Sequence, residues 1–433
     1  MATIMVIGAG LGGLSAAYEL KAALGQAHRI ILVSDKPSFD FTPSNPWVAV
    51  AWRKRDQVSL PIAPHVAKKG IDFIPQGLIG LDPQARQVTL ADGSEHGYDY
   101  LVLCTGPELA FDELPGAGPE AGSSSVCTLP HAEDCQATVA QLLAQPGPVV
   151  VGALPGASCF GPAYEYAFIL DKHLRDHKLR KAVPLTFVTS EPYIGHLGLG
   201  GVGDSKGLLE KALRERDIPW ICNAKTRALQ DAQVLVDELD DLGQLKRQHA
   251  LPYRHAMLLP AFRGITPLRG IEGLVNPRGF VLVDAQQRNP TYPNIYAAGV
   301  CIAIAPPVAT PVPTGVPKTG YMIESMVRAI TLNIQAELQG QTPQAKASWN
   351  AICLADMGNT GAAFVAIPQL PPRNVAWFAE GKWVHLAKVA FEKYFLRKMQ
   401  HGETEPLYER LVLKYLGIDK LEQAADRTDK TSL

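Results

Sequence analysis

No C-x-x-C pair, no long basic run and no window of about 18 uninterrupted apolar residues occurs in this sequence. The first lack argues against a zinc ribbon or a thioredoxin-like motif, so no metal site is read. The second argues against nucleic acid as a main partner, and the third against a membrane-spanning helix. The seven cysteines, Cys104, Cys127, Cys135, Cys159, Cys222, Cys301 and Cys353, are odd in number and scattered, which is no disulfide framework. Forty-one basic residues against 42 acidic ones leave a net charge of −1, with no strong field of either sign. Met1 stands almost on the first apolar run, so the expectation is a chain with no signal peptide, made and folded in the cytoplasm. A length of 433 residues predicts two or three domains.

What is present begins at once. Thr3-Ile4-Met5-Val6-Ile7 is a short β-branched run that leads into Gly8-Ala9-Gly10-Leu11-Gly12-Gly13, a G-x-G-x-x-G turn with a spare glycine. Gly8 permits the tight turn, Gly10 lets a pyrophosphate approach the backbone, and Gly13 lets the following helix pack on the strand. The helix N-terminus then faces the phosphates. Arg29-Ile30-Ile31-Leu32-Val33 reads as the second strand, after which a ribose-binding acid is expected. Ser34 holds the position directly after it and Asp35 the next, and both are carried.

The prolines of Phe41-Thr42-Pro43-Ser44-Asn45-Pro46-Trp47 predict an irregular loop bordering the cofactor crevice. Strands are expected at 71–74 and 87–90, with a turn at Ala91-Asp92-Gly93. Tyr98 to Gly106 reads as a buried strand ending in Thr105-Gly106, and it resembles the second flavin motif of disulfide reductases with two dinucleotide domains. Cys104 within it is read as packing. A second strand and glycine turn follow at Val149-Val150-Val151-Gly152-Ala153-Leu154-Pro155-Gly156-Ala157-Ser158-Cys159. Leu154 stands where the second glycine belongs, and its side chain would take the space of a pyrophosphate. The turn reads as a nucleotide site that has lost its ligand, with Cys159 either a functional thiol or part of a degenerate loop. His196, in the glycine-rich loop after the strand at 185–190, is a core histidine or a proton shuttle. Ala297-Ala298-Gly299 resembles the third flavin motif, with Val300-Cys301 in place of the usual aspartate. Prolines at 311, 313 and 317 then fix the start of a helix expected at 322–338, where Lys318 is either a solvated lysine or a cation beside the reduced flavin.

These pieces resemble a sulfide:quinone oxidoreductase over nearly the whole length. The resemblance is carried by the contexts of Cys127, Cys159 and Cys353, by Pro311 to Tyr321, and by the tail Trp383 to Phe395. It implies an α/β chain of two Rossmann-like dinucleotide-binding domains, glutathione reductase-like, with a C-terminal amphipathic helical membrane-association region. The expected boundaries are 1–110 with 275–345 for the FAD-binding domain, 111–274 for the second Rossmann-like domain with its degenerate nicotinamide site, and 346–433 for the quinone and membrane region. FAD would be held by Gly8, Ala9, Gly10, Leu11, Gly12 and Gly13, by Ser34 or Asp35, and by Gly77, Thr105, Gly106, Gly299, Lys318, Thr319 and Gly320. Cys159 and Cys353 would hold bridging sulfur between them, Cys159 accepting sulfide and Cys353 delivering electrons to the flavin, with Cys127 assisting sulfur transfer or attached covalently to the flavin and Glu165 and His196 handling protons. Leu354, Lys388, Phe391 and Tyr408 would contact the quinone. Residues 383–399 and 407–416 mix apolar faces with Lys388, Lys393, Arg397 and Lys398, suiting a membrane interface or, alternatively, a hairpin packed on the protein. The implied placement is peripheral on the cytoplasmic membrane, and a homo-oligomer is left open. A type II NADH:quinone dehydrogenase, the flavin subunit of a flavocytochrome sulfide dehydrogenase and a flavin-binding redox sensor without turnover are the alternatives.

Overall fold

The computed structural model describes residues 1–405 and 419–422. Its first sheet has five parallel strands in the order Asp72–Ile74, Arg29–Val33, Thr3–Ile7, Tyr100–Leu103, Ile295–Ala297. Ile4, Met5, Val6, Leu101 and Val102 are fully buried, as expected of strands covered on both faces. The sequence order reverses at Thr3–Ile7, which puts a crevice at the carboxyl end of that strand, where the first glycine turn lies. Gly8 has φ +97°, and a Cβ there would lie 2.3 Å from the Cys104 carbonyl oxygen. A Cβ on Gly13 would lie 1.7 Å from the Gly8 carbonyl oxygen, so only glycine lets the helix Leu11–Leu24 pack this close to the strand.

The second sheet repeats the plan with four parallel strands, Trp220–Ile221, Leu185–Thr189, Val149–Ala153 and His255–Leu259. Each parallel sheet is accompanied by a three-stranded antiparallel meander, 78–97 and 224–252. A third sheet, Ala351–Asp356, Gly361–Ile367 and Val375–Gly381, is antiparallel, and the helix Lys382–His401 packs on it. The first core draws on residues from 4 to 104 and from 268 to 347, and the tail helix adds Phe395 and Met399 to it.

Two expectations fail at this level. Residues 41–47 are not an irregular loop: Thr42–Ser44 is a 3-10 turn and Asn45–Ala49 a short helix. Both prolines stand in first turns, where the missing N–H is an orphan donor anyway. The tail helix forms as predicted, but Lys388 and Lys398, each 2% exposed, point into the protein and pair with Glu165 and Glu324. A cation on a mixed helical face goes to a buried carboxylate when one stands opposite, because leaving either charge buried alone would cost several kcal/mol. Among the described residues no helix is long and apolar enough to cross a membrane. The second amphipathic segment, 407–416, lies outside the described residues.

Candidate active site

Two helix N-termini converge on the first glycine turn. The helix Leu11–Leu24 starts from Gly10 without a side-chain cap, and a Cβ on Gly10 would meet nothing within 4 Å. The helix Gly320–Leu338 arrives beside it, a Cβ on Gly320 falling 3.4 Å from Leu11. At its start the Thr319 hydroxyl is buried without a hydrogen-bond partner among the described residues. Uncapped N–H groups, open space and an orphaned hydroxyl fit a pyrophosphate. Ala9 is buried in the turn, while Gly106, φ +68°, and Gly299, φ +86°, turn the chain at the ends of their strands. Thr105 donates its hydroxyl to the Gly106 carbonyl at 3.2 Å. Of the two ribose candidates, Ser34 is buried and accepts the Lys36 N–H at 3.2 Å. Asp35 is exposed and stands against Gly77, whose Cβ would lie 3.5 Å away.

The second glycine turn is closed. Leu154 is buried, the Gly156 N–H donates to the Pro313 carbonyl at 2.7 Å, and the Gly315 N–H donates to the Ala157 carbonyl at 2.8 Å. The segment 310–315 therefore occupies the place where a nicotinamide nucleotide would approach.

Beside this plug lie three free thiols, Cys127, Cys159 and Cys353, each partly accessible, with Cys159 close enough to feel the charge of Cys127 and Cys353 that of Cys159. Cys159 is the middle member. Burial pushes it up to about 12, the neighbouring Cys127 and Glu165 add to the rise, and a hydrogen bond from the Gly161 N–H and the Lys318 charge oppose it. That N–H opens the helix Gly161–Asp176, so Cys159 sits at a helix N-terminus. Cys353 is likewise pushed to about 12 by burial and by Cys159, with Lys388 opposing. Burial raises Cys127 to about 11, and its backbone N–H is held by Ser125 Oγ at 3.1 Å. Surroundings that disfavour the thiolate on all three sulfurs suit a neutral sulfur bridge better than free thiolates. Lys318 is no solvated lysine: burial lowers it to about 8, Cys301 and Cys159 opposing, and its Nζ lies 5.4 Å from the Phe280 ring centroid.

Glu165, in the first half of the helix behind Cys159, accepts the Asp356 N–H at 2.9 Å and pairs with Lys388. Burial raises its pKa, Lys388 opposing. Lys388 thus faces the thiols and Glu165, with its Nζ 5.0 Å from the Trp47 ring centroid. Strand alternation puts Leu354 on the opposite face from Cys353, with Asp356. Phe391 packs among Phe41 and Phe395 at ring distances of 5.9 and 5.3 Å. His196 is held within its own loop, its Nδ1 accepting the Gly198 N–H at 3.2 Å and its ring lying against Tyr193. Burial lowers its pKa, which is the condition of a core histidine. Tyr408 lies outside the described residues. Sequence reading passed over Trp47, Asp356 and His385, which bond to one another across 309 and 29 residues of chain and left no local signal.

The sequence pattern of the pyridine nucleotide-disulphide oxidoreductase family matches residues 2–322. The chain is 42% identical over 426 residues to the sulfide-quinone reductase of Aquifex aeolicus (strain VF5), covering 98% of this chain and 97% of that one. The crystal structure of the sulfide:quinone oxidoreductase of Aquifex aeolicus superposes with a TM-score of 0.93 over 98% of both chains. NDH2 from Plasmodium falciparum, 13% identical, shares the fold at a TM-score of 0.71 over 97% of this chain and 100% of that one. With its whole length matched and not the nucleotide domains alone, the chain belongs to the pyridine nucleotide-disulphide oxidoreductase family and, within it, to the sulfide-quinone reductases.

Proposed function

We propose that the chain oxidises sulfide at Cys159 and Cys353 and passes the electron pair through FAD to a quinone. The observation that carries this is the exchange of one donor site for another: a nucleotide turn plugged by the chain itself, with three free thiols beside it. FAD fits the first turn, held by residues 8–13, Asp35, Gly77, Thr105, Gly106, Gly299 and the start of the helix at Thr319 and Gly320. Bound there, it supplies a carrier that takes two electrons from sulfur and gives them to quinone. The cofactor-binding body is residues 1–110 with 275–345, and 111–274 is the second.

With Cys159 and Cys353 joined through a sulfur bridge in the oxidised protein, hydrosulfide bonds to the Cys159 sulfur, the bond from that sulfur toward Cys353 breaks, and the electron pair leaves on the Cys353 side, as thiolates attack disulfides generally. The helix N-terminus and Lys318 stabilise negative sulfur there, and Cys353 leaves as a thiolate beside Lys388. Cys127, next to Cys159, takes part in moving sulfur out. Glu165, its pKa raised by burial, holds and releases a proton between the thiols and Lys388. The quinone meets Leu354, Phe391 and Lys388. Val375 and Trp377 on the last strand and Trp383 and Leu386 on the helix after it are between 41% and 68% exposed, and Lys382, Lys393 and Arg397 are exposed along that helix. This mixture suits peripheral attachment to a cytoplasmic membrane, where quinone dissolves.

Anaerobic mixing with sulfide should bleach the bound flavin in one fast phase. Cys159→Ala and Cys353→Ala should each keep the flavin and lose bleaching by about 10³-fold or more, the loss typical of removing a nucleophile. Bleaching at the original rate in both variants rejects the assignment.

A further inference from the structure

A cavity of about 380 Å³ lies where the glycine-rich loop after the strand Leu185–Thr189 meets Arg373. Lys206, Arg373 and Tyr193 supply its side chains, and much of the remaining wall is backbone, at Gly200, Gly201 and Gly203. A Cβ on Gly200 would meet nothing within 4 Å, so the cavity is open there. Tyr193 stands by both cations: Lys206 Nζ lies 5.4 Å from its ring centroid, and it opposes the fall that burial causes in the Arg373 pKa. Arg373 donates from Nε to the Gln369 carbonyl at 2.9 Å, from Nη1 to Gly201 at 2.7 Å and from Nη2 to Leu199 at 2.6 Å. One hydrogen is left over on each Nη. Among the described residues neither Arg373 nor Lys206 has a carboxylate within ion-pair distance. Asp204 is turned to the helix Ser205–Glu215, where it accepts the Gly207 N–H at 3.1 Å, and Glu210 pairs with Arg214 at 3.2 Å. A half-buried guanidinium that meets only carbonyl oxygens lacks the counter-charge that would offset its burial.

Apolar surface begins at the edge of this cavity. Two residues beyond Arg373 the strand Val375–Gly381 starts, and Val375 and Trp377, which alternation puts on one face of it, are each 41% exposed. The cavity wall touches that strand, since a Cβ on Gly203 would lie 2.9 Å from Trp377 Cα. Two cations without a counter-charge beside an exposed valine and tryptophan fit a molecule with a phosphate at one end and hydrocarbon at the other. We propose that the cavity takes the phosphate of an anionic phospholipid, with Arg373 and Lys206 on the phosphate oxygens and the acyl part along Val375 and Trp377; the proposal rests on the membrane reading above and adds the class of lipid. The two spare Arg373 hydrogens reach phosphate oxygens as a fork, and Lys206 adds a point charge. A zwitterionic headgroup would bring a quaternary ammonium up to the same two cations and forfeit the gain. Phosphate is the chemistry shared with the free inorganic ion, and hydrocarbon is what the lipid alone brings.

Short-chain lipids separate the site from the membrane. Dihexanoyl phosphatidylglycerol, kept below its micelle concentration, should bind the FAD-loaded full chain saturably in isothermal titration, one molecule per chain. Dihexanoyl phosphatidylcholine and inorganic phosphate should each bind at least about 10-fold more weakly. Lys206→Met should weaken phosphatidylglycerol about 5-fold, the contribution of one lysine at an anionic lipid surface. Lys211→Met, on the same helix but paired with Glu215 at 3.7 Å and outside the cavity, should leave it unchanged. Val375→Ser combined with Trp377→Ser should weaken the lipid and not inorganic phosphate. Equal binding of the two lipids overturns the proposal, as does inorganic phosphate binding as tightly as phosphatidylglycerol, which marks a free-anion site. An equal loss in Lys206→Met and Lys211→Met also overturns it, because it marks diffuse charge attraction. Arg373→Gln should cost more than Lys206→Met; should it fail to fold because the loop carbonyls lose their donor, Lys206→Met decides. Saturable binding of the short lipid without co-sedimentation on phosphatidylglycerol vesicles rejects the membrane reading and keeps the site, whereas co-sedimentation without short-lipid binding rejects the site alone.

Discussion

Lys318 shows how one side chain can set the working range of the site. Burial lowers its pKa to about 8 while Cys159 and Cys301 hold it up, so it is charged below that pH and neutral above it. If its charge stabilises the sulfur left on Cys159, the rate of bleaching by sulfide falls as pH rises through about 8. Lys318→Arg keeps the charge and should move that limb upward by a unit or more; Lys318→Met should abolish the limb and slow bleaching about 10-fold at pH 7. Rapid mixing across pH 6 to 10 checks both, and an unmoved limb in Lys318→Arg assigns it to another group. Lys318 was legible in the sequence because prolines and a glycine fix its place before a helix. Asp356 and His385 were not, since nothing in a strand-end aspartate or a helical histidine announces a partner 29 residues away, and Trp47 is 309 residues distant.

At the scale of elements, the second glycine turn carries the clearest test. Leu154 alone was enough to read the turn as spent, but the structure adds that residues 310–315 use its backbone groups, Gly156 bonding to Pro313 and Gly315 to Ala157. A Cβ on Gly315 would lie 2.5 Å from Ser158 Cβ, so the two segments are in close packing. Restoring the glycine by Leu154→Gly should therefore not restore a nucleotide site. Neither the original chain nor this variant should be reduced by NADH, as followed by flavin absorbance, and bleaching of the variant by NADH would show that the leucine and not the plug keeps the nucleotide out. Local pattern found the strands near 3–7, 29–33, 71–74, 87–90, 98–106, 149–153 and 185–190, the glycine turns and the helices at 11–24, 320–338 and 382–401 to within a few residues, but not the strands at 224–252, 255–259 and 351–381. It misjudged residues 41–47, where prolines began a helix in place of ending one, and it could not tell which tail lysines had buried carboxylates waiting.

Across the whole molecule, the thiols come from three distant places: the loop before the helix Leu129–Ala144, the second glycine turn, and the strand Ala351–Asp356. Their convergence is a property of the fold and not of spacing, and the sequence pointed to it only through resemblance. The same fold turns Lys388 and Lys398 inward and leaves Trp377, Trp383 and Leu386 outside, so the outer face of the tail is more apolar than its sequence suggested. Exposed tryptophan and leucine side chains are the kind that gain most at a membrane interface. Burying a large apolar side chain is worth about 1.5–3 kcal/mol, and Trp383 and Leu386 are already partly covered, so on the proposed membrane-facing reading they would together contribute on the order of 2–3 kcal/mol to lipid binding. The double variant Trp383→Ser, Leu386→Ser should then bind lipid vesicles at least about 30-fold more weakly in co-sedimentation, because every 1.4 kcal/mol is tenfold. Its flavin should still bleach with sulfide at the original rate, since neither residue touches the thiols. Reduction of a long-chain quinone held in the vesicles should fall with binding, whereas a short-chain quinone in water should be reduced as before. Undiminished co-sedimentation would overturn the assignment of these two residues to a membrane interface, while bleaching by sulfide tests the proposed roles of Cys159 and Cys353 separately.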